Sequence, residues 1–137
     1  MTLPVTALTA AILAIMILAT AISTVRERFK AGVPFGDGEV DTLTKASRAH
    51  GNLVEHAPLG VIMIGLLEMV PANHWILTGI AALFLASRAA HIVGIYNQSD
   101  PAKPPLGRSL GVIGTWLSYA LLILWIFWKL ISVEFGI

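Results

Sequence analysis

An uncharged apolar segment near the start of the sequence constrains the fold more than any other feature. Residues 3–25 contain no Asp, Glu, Lys or Arg, and a helix of this length crosses a hydrocarbon layer of about 30 Å. A secretory signal peptide is the competing interpretation, but no basic residue precedes the segment, and its apolar part is too long for such a peptide. We therefore predict a retained transmembrane helix.

The composition extends this prediction to the whole chain. Hydrophobic residues make up 56% of the 137 residues and charged residues only 12%, with a mean hydropathy of +0.79, far from the composition of a soluble domain. Backbone polar groups that face lipid need partners within their own segment, which favours helices. The sequence predicts an all-α integral membrane protein, a four-transmembrane-helix bundle in a single domain (1–137) with helices over 3–25, 43–70, 72–96 and 106–131.

The predicted connections carry turn residues and most of the basic side chains. "GVPFGDGE" at 32–39, Pro71-Ala72-Asn73 and "NQSDPAKPP" at 97–105 interrupt the apolar segments. Lys and Arg concentrate around the first and third connections, so the positive-inside rule places loops 26–42 and 97–105 in the cytoplasm and both termini outside. The net charge of +1 gives no indication of a nucleic-acid partner.

Two kinds of site are disfavoured by the residue types present. The chain has no cysteine, which excludes disulfides, thiolate metal sites and a thiol nucleophile supplied by the protein. Its histidines lack the His-x-x-x-His or Glu-x-x-His spacing of metal-binding helices. We predict no metal site, and any sulfur chemistry would need an external thiol.

Polar residues form a stripe on the second predicted helix. Arg48, Asn52 and Glu55 are spaced i, i+4 and i+7, which places them on one face of a helix. Arg88 and His91 form a similar pair near the end of the third helix, at the same side of the membrane by the predicted topology. Since charges within a bilayer tend to be paired or to line water, this excess of arginine predicts a cavity for an anionic ligand, such as a zwitterionic peptide with two carboxylates.

Simpler structural explanations remain open for several of these residues. Arg48 could anchor the helix by extending to the membrane interface. The sole role of Glu55 could be to neutralise Arg48 or Arg88 in an ion pair. His50 is expected on the solvent-facing surface of its helix, outside the site. Glu68 is expected at the outer interface, close to the Pro71 turn.

Three motifs resemble those of one membrane-protein family. "RAHGNLVEHAPLG" at 48–60 resembles the second-helix signature of the MAPEG family (membrane-associated proteins in eicosanoid and glutathione metabolism), Arg-x-x-x-Asn-x-x-Glu followed by Pro. "RAAHIVGIY" at 88–96 resembles its third-helix element, and "PLGRSLG" at 105–111 is similar to the Arg-Ser opening of helix 4 in the prostaglandin E synthase branch. The resemblance covers essentially the whole chain and points to a bacterial member, in the inner membrane.

The resemblance implies a homotrimer that binds glutathione, its cosubstrate, between neighbouring subunits. Arg108 would stabilise the glutathione thiolate, with Ser109 as a helper. His56 stands where a tyrosine is common, and Ile95 replaces another tyrosine, leaving Tyr96 displaced by one position. The residues that would bind glutathione are Arg26, Arg48, Asn52, Glu55, His56, Arg88, His91 and Tyr96.

The function implied by the resemblance is that of a glutathione-dependent membrane transferase or peroxidase. Its partners would be other copies of the chain, membrane lipids and a lipophilic electrophile or hydroperoxide. A small four-helix transporter is an alternative, with Glu68 as its only candidate mid-membrane carboxylate. A non-catalytic MAPEG-like membrane protein is another, and it would bind a ligand without turnover.

Overall fold

Four α-helices make up the fold, as the apolar segments predict. The computed structural model describes residues 2–100 and 102–135, in which there is no β-strand. The helices are α1 (Pro4–Ala31), α2 (Asp41–Glu68), α3 (His74–Tyr96) and α4 (Leu106–Phe135).

The helix ends differ from the predicted ones by a few residues, and local chemistry explains two of the differences. α1 continues six residues beyond the predicted end at 25 because residues 26–31 contain strong helix formers. Gly32 ends it in the left-handed conformation (φ 64°), which glycine adopts without steric cost. α3 begins at His74 rather than 72 because the Asn73 side chain caps it, accepting from the N–H of Trp75 at 3.0 Å.

Within the described part of the chain, three helices are long and apolar enough to cross a membrane. They are α1, α3 and residues 106–132 of α4. α2 is 28 residues long, but polar side chains occupy its first half, so its composition alone does not mark it as a span. α2 owes its place in the bundle to packing against α1, α3 and α4.

The closest helix contact joins α3 to α4, and glycines make it possible. A Cβ on Gly94 would lie 2.2 Å from the backbone nitrogen of Arg108, and one on Gly111 would lie 2.6 Å from the backbone nitrogen of His91. Such approach of two backbones is typical of small residues at helix interfaces in membranes. The contact holds the start of α4 against the end of α3, which places Arg108 beside His91.

Apolar packing fills the bundle toward the other end. Tyr119 of α4 stacks on Phe84 of α3 with ring centroids 5.6 Å apart, and its hydroxyl donates to the carbonyl of His56 at 2.7 Å. The two buried clusters around this point comprise Met63, Ile64, Leu67, Leu77, Ile80, Ala81 and Leu122, and Leu13, Leu53, Ala57 and Phe84.

Glu68 closes the end of the bundle opposite the polar stripe by capping α1. Its carboxylate accepts from the backbone N–H of Val5 at 2.8 Å, and from the N–H and hydroxyl of Thr6 at 2.7 and 2.6 Å. A carboxylate at a helix N-terminus satisfies unpaired donors and interacts favourably with the helix dipole. The transporter alternative needs this same carboxylate, which is already used to join α2 to α1.

Candidate functional site

A cleft of about 820 Å³ lies between the first half of α2, the end of α3 and the start of α4. No residue of α1 lines it. Helices α2, α3 and α4 wall the cleft and leave it partly open, so a molecule bound there would remain accessible from outside. The lining residues are Asp41, Thr44, Lys45, Ser47, Arg48, Gly51, Asn52, Glu55, His91, Ile95, Gln98, Arg108 and Val112.

Five of the predicted site residues lie together in this cleft. Arg48, Asn52 and Glu55 occupy one face of α2, as their spacing predicts. His91 faces them from α3, and Arg108 reaches the cleft from the start of α4, where the glycine contact holds α4 close to α3. The structure therefore brings a large part of the predicted site together within one chain.

Tyr96 and Arg26 lie on the α1 side of the bundle, outside the cleft. The Tyr96 hydroxyl is 3.0 Å from the hydroxyl of Ser23 on α1. Arg26 is exposed near the end of α1, and neither side chain is among the lining residues. For either side chain to contact a ligand in the cleft, another copy of the chain would have to place it there.

His56 and Ser109 border the cleft without lining it. The half-buried His56 ring packs edge-on against Tyr119, with centroids 5.8 Å apart, toward the apolar core. Ser109 lines a separate groove of about 430 Å³ with Val112 and Ile113. Arg108 lines both this groove and the cleft, so it stands between a polar and an apolar surface.

Arg88 lies behind the cleft wall, not in it. It is 2% exposed, and its Nη1 donates to Oδ1 of Asn52 at 2.7 Å. Its Nη2 donates to the carbonyl of Gly111 at 3.2 Å and to the hydroxyl of Thr115. Among the described residues it forms no ion pair, and its buried Nε has no hydrogen-bond partner.

The charges of the cleft are only partly paired. Lys45 pairs with Asp41 at 2.7 Å, and Nη1 of Arg108 donates to Oε1 of Gln98 at 2.9 Å. The ion pair of Glu55 with Arg48 or Arg88 considered from the sequence is not formed in the part of the chain that the structure describes. The side chain of Arg88 is buried in the bundle, whereas the side chains of Arg48 and Glu55 are exposed.

His50 is not the solvent-facing residue that the sequence predicts. It is half-buried, and its Nδ1 lies 3.0 Å from the hydroxyl of Thr20 on α1. Two positions before Asn52, it points about 200° around the helix, so it faces α1 while Asn52 faces the cleft. Its contact joins α1 to α2 and leaves it outside the cleft.

Several cleft residues were missed from the sequence, although a signal for them was present. Asp41, Arg48 and Glu55 recur every seven residues, so the polar stripe of α2 begins a full two turns before Arg48. Gln98 lies just beyond the end of α3, seven residues after His91, and lines the same cleft. Thr115, which lies behind the cleft with Arg88, has no such signal, because a lone threonine in an apolar helix is common and its partner Arg88 is distant in sequence.

The loop before α2 is ordered by its own polar contacts. Oδ1 of Asp37 accepts from the N–H of Glu39 at 3.4 Å, and Oδ2 accepts from the hydroxyl of Thr44 at 3.1 Å. Both contacts favour the carboxylate and hold the pKa of Asp37 below its ordinary value. Since Thr44 lines the cleft, this contact fixes one edge of the cleft mouth.

The arrangement suits a ligand that carries charges of both signs. Arg48 and Arg108 offer planar donor groups for carboxylates, while Glu55 can accept from an ammonium group. Next to His91, Arg108 is also a fixed cation that would favour a thiolate over a thiol. The described residues contain no group of three or more His, Asp or Glu side chains that could hold a metal ion.

Comparison with known proteins agrees with the motifs. The profile of the MAPEG family matches residues 6–128. The chain is 30% identical over 124 residues to the inner membrane protein YecN of Escherichia coli (strain K12), covering 90% of this chain and 91% of the relative. The YecN protein of Escherichia coli O6:H1 (strain CFT073) matches to the same extent. This chain is therefore a four-helix integral membrane protein that belongs to the MAPEG family.

Proposed function

We propose that this protein is a glutathione-dependent membrane transferase or peroxidase. The observation that carries the proposal is the cleft wall itself, where Arg48 and Glu55 are exposed and form no ion pair among the described residues, and Arg108 lies next to His91. Glutathione has two carboxylates, one ammonium group and a thiol, which match this set of side chains. Membership of the MAPEG family supports the same assignment.

In the proposed complex, the arginines bind the peptide's carboxylates and Glu55 its ammonium group. Arg108 holds the sulfur as a thiolate, since a fixed cation lowers a thiol pKa from its unperturbed value of about 8.5. Ser109, one residue along, lies in the apolar groove next to the cleft. A lipophilic cosubstrate could approach the sulfur from that side.

The proposed chemistry follows from the thiolate. In a transfer reaction, the thiol proton leaves to water, and the sulfur forms a bond to an electrophilic carbon while the leaving group departs with its electron pair. In a peroxidase reaction, two glutathione thiols are oxidised to the disulfide, and the hydroperoxide is reduced to an alcohol and water. Both reactions use the same activated sulfur.

The open side of the cleft supports assembly into a homotrimer, with sites between subunits. The α1 of a neighbouring copy would supply the missing wall and would bring Arg26 to the ligand. The relatives named as inner membrane proteins support the same location for this chain, and the basic residues in and around the loops 26–42 and 97–105 support a cytoplasmic side for both loops.

Stopped-flow ultraviolet absorbance of the thiolate on adding glutathione to the purified protein tests the proposal. Wild type should form thiolate and bind at millimolar glutathione or below, Arg48→Ala should bind several-fold more weakly, and Arg108→Ala should bind without the thiolate signal. Lys103→Ala is the matched control, because Lys103 is exposed and does not line the cleft.

Two results would count against the proposal in different ways. Wild type that neither binds nor is stabilised by glutathione, with both arginine variants behaving like it, refutes glutathione dependence. Binding and thiolate formation without turnover of any model electrophile or hydroperoxide favours the non-catalytic alternative. Testing Glu68→Gln for loss of proton-coupled uptake in vesicles addresses the transporter alternative.

A further inference from the structure

The buried guanidinium of Arg88 is held without any carboxylate. Its acceptors are an amide oxygen, a backbone carbonyl and a hydroxyl, and its Nε is an unpaired buried donor among the described residues. A buried arginine is usually neutralised by an acid. Here a positive charge stays uncompensated directly behind the cleft wall.

Arg88 also determines which way the Asn52 amide points. A guanidinium has only donors, so the Asn52 atom that it contacts at 2.7 Å must be the oxygen. The amide nitrogen of Asn52 is then directed away from Arg88, and Asn52 lines the cleft. An asparagine amide can both donate and accept hydrogen bonds. Because its oxygen is bonded to Arg88, Asn52 offers its NH₂ group to the cleft as a donor.

Thr115 holds Arg88 in this position. It is 1% exposed, and it accepts from Nη2 of Arg88 while its own hydroxyl donates to the carbonyl of Gly111 at 2.7 Å. The donation orients a lone pair of the threonine oxygen toward the guanidinium. A connected set of hydrogen bonds thus runs from α4 through α3 to the cleft face of α2.

We infer that Arg88 and Thr115 are positioning residues that turn the NH₂ of Asn52 into the cleft as a fixed donor for an anionic group of the ligand. The inference rests on the proposed glutathione binding. Neither residue lines the cleft, so each acts through Asn52. The uncompensated charge of Arg88 also makes the cleft more favourable for an anion.

The test measures glutathione affinity by isothermal titration calorimetry and thermal unfolding of the same detergent-purified variants. Thr115→Val keeps the volume but removes the hydroxyl, and it should weaken binding roughly fivefold or more. Thr115→Ser should restore affinity to near wild type. Ser118→Ala is the matched control, because it removes a buried hydroxyl from the same helix that donates to Gly114.

Asn52→Asp separates positioning from general stability. A carboxylate at this position would pair with Arg88, so the unfolding temperature should hold or rise while glutathione binding falls about tenfold or more, because the donor and the free positive charge are both lost. If the contact between Asn52 and Arg88 had only a structural role, the glutathione affinity of Asn52→Asp would change in parallel with its unfolding temperature.

Each remaining outcome decides the inference. Thr115→Val that binds like wild type refutes the positioning role and leaves the proposed function intact. Equal weakening in Ser118→Ala refutes it as well, since both effects would then reflect looser packing. Wild type without affinity for glutathione overturns the proposed function and this inference together.

Discussion

Substituting Gly94 by alanine should disrupt both the stability of the bundle and its cleft. The added Cβ would lie 2.2 Å from the backbone nitrogen and 2.6 Å from the Cα of Arg108. Backbone atoms cannot rotate away, so α3 and α4 must separate by about 1 Å to restore ordinary contact. Overpacking of this kind costs about 1–3 kcal/mol, and it displaces the start of α4, which carries Arg108.

Gly79→Ala is a matched control on the same helix. No atom lies within 4 Å of a Cβ at Gly79, so this change should be neutral or stabilise by up to about 1 kcal/mol through helix propensity. The two variants should therefore differ by about 1–4 kcal/mol, or on the order of 10 °C in Tm. Tryptophan fluorescence during heating in detergent, with glutathione affinity in parallel, measures both effects. Equal Tm and affinity for the two variants would refute the close-contact argument.

Three further predictions concern other parts of the bundle. Glu68→Gln should lower the free energy of unfolding by about 1–2 kcal/mol, because the cap of α1 is weakened. Glutathione affinity, measured by calorimetry, should stay unchanged, since Glu68 lies outside the cleft; a comparable loss of affinity would contradict this. Tyr119→Phe should cost about 1 kcal/mol, measured by thermal unfolding, because it removes the hydrogen bond to the His56 carbonyl; an unchanged Tm would show that this bond adds nothing. The Asp37 carboxylate should stabilise the fold at pH values above its ordinary pKa, and this contribution should be lost as pH falls through its lowered pKa. Thr44→Ala should raise the pKa of Asp37 in an NMR titration; an unchanged pKa would exclude the Thr44 contact as a cause of the shift.

The sequence predicted the four helices because their signals are local. Apolar segments of sufficient length and the glycine, proline and asparagine residues between them mark each helix without knowledge of its neighbours. The predicted end of α1 was six residues too early. Charged residues such as Arg26 and Lys30 indicate the end of a membrane span, but they are also good helix formers. The helix itself continues beyond the apolar segment.

The site was predictable where one helix supplies it and less so where helices meet. Spacing alone placed Arg48, Asn52 and Glu55 on one face of α2. It could not place Arg88 behind that face, because the depth of a side chain depends on how close α4 approaches α3. The glycine contact that sets this distance also brings Thr115 to Arg88, and neither follows from a periodic pattern.

From the expected depth of Glu55 in the membrane, we predict that another copy of the chain covers the cleft. At 1.5 Å per residue, Glu55 lies about 20 Å along α2 from Glu68, which closes the opposite end of the bundle. With Glu68 at the far boundary of a hydrocarbon layer of about 30 Å, Glu55 would lie about 10 Å below the nearer surface, too deep for its short side chain to extend to the water beyond that surface. A charged side chain facing lipid costs about 2.5–3.5 kcal/mol on insertion scales, so a wall supplied by a neighbouring α1 would stabilise each subunit. We expect native mass spectrometry in mild detergent to detect an oligomer, and Glu55→Leu to remain assembled and folded while losing glutathione affinity. A wild-type protein that stays monomeric in lipid nanodiscs would refute this reasoning.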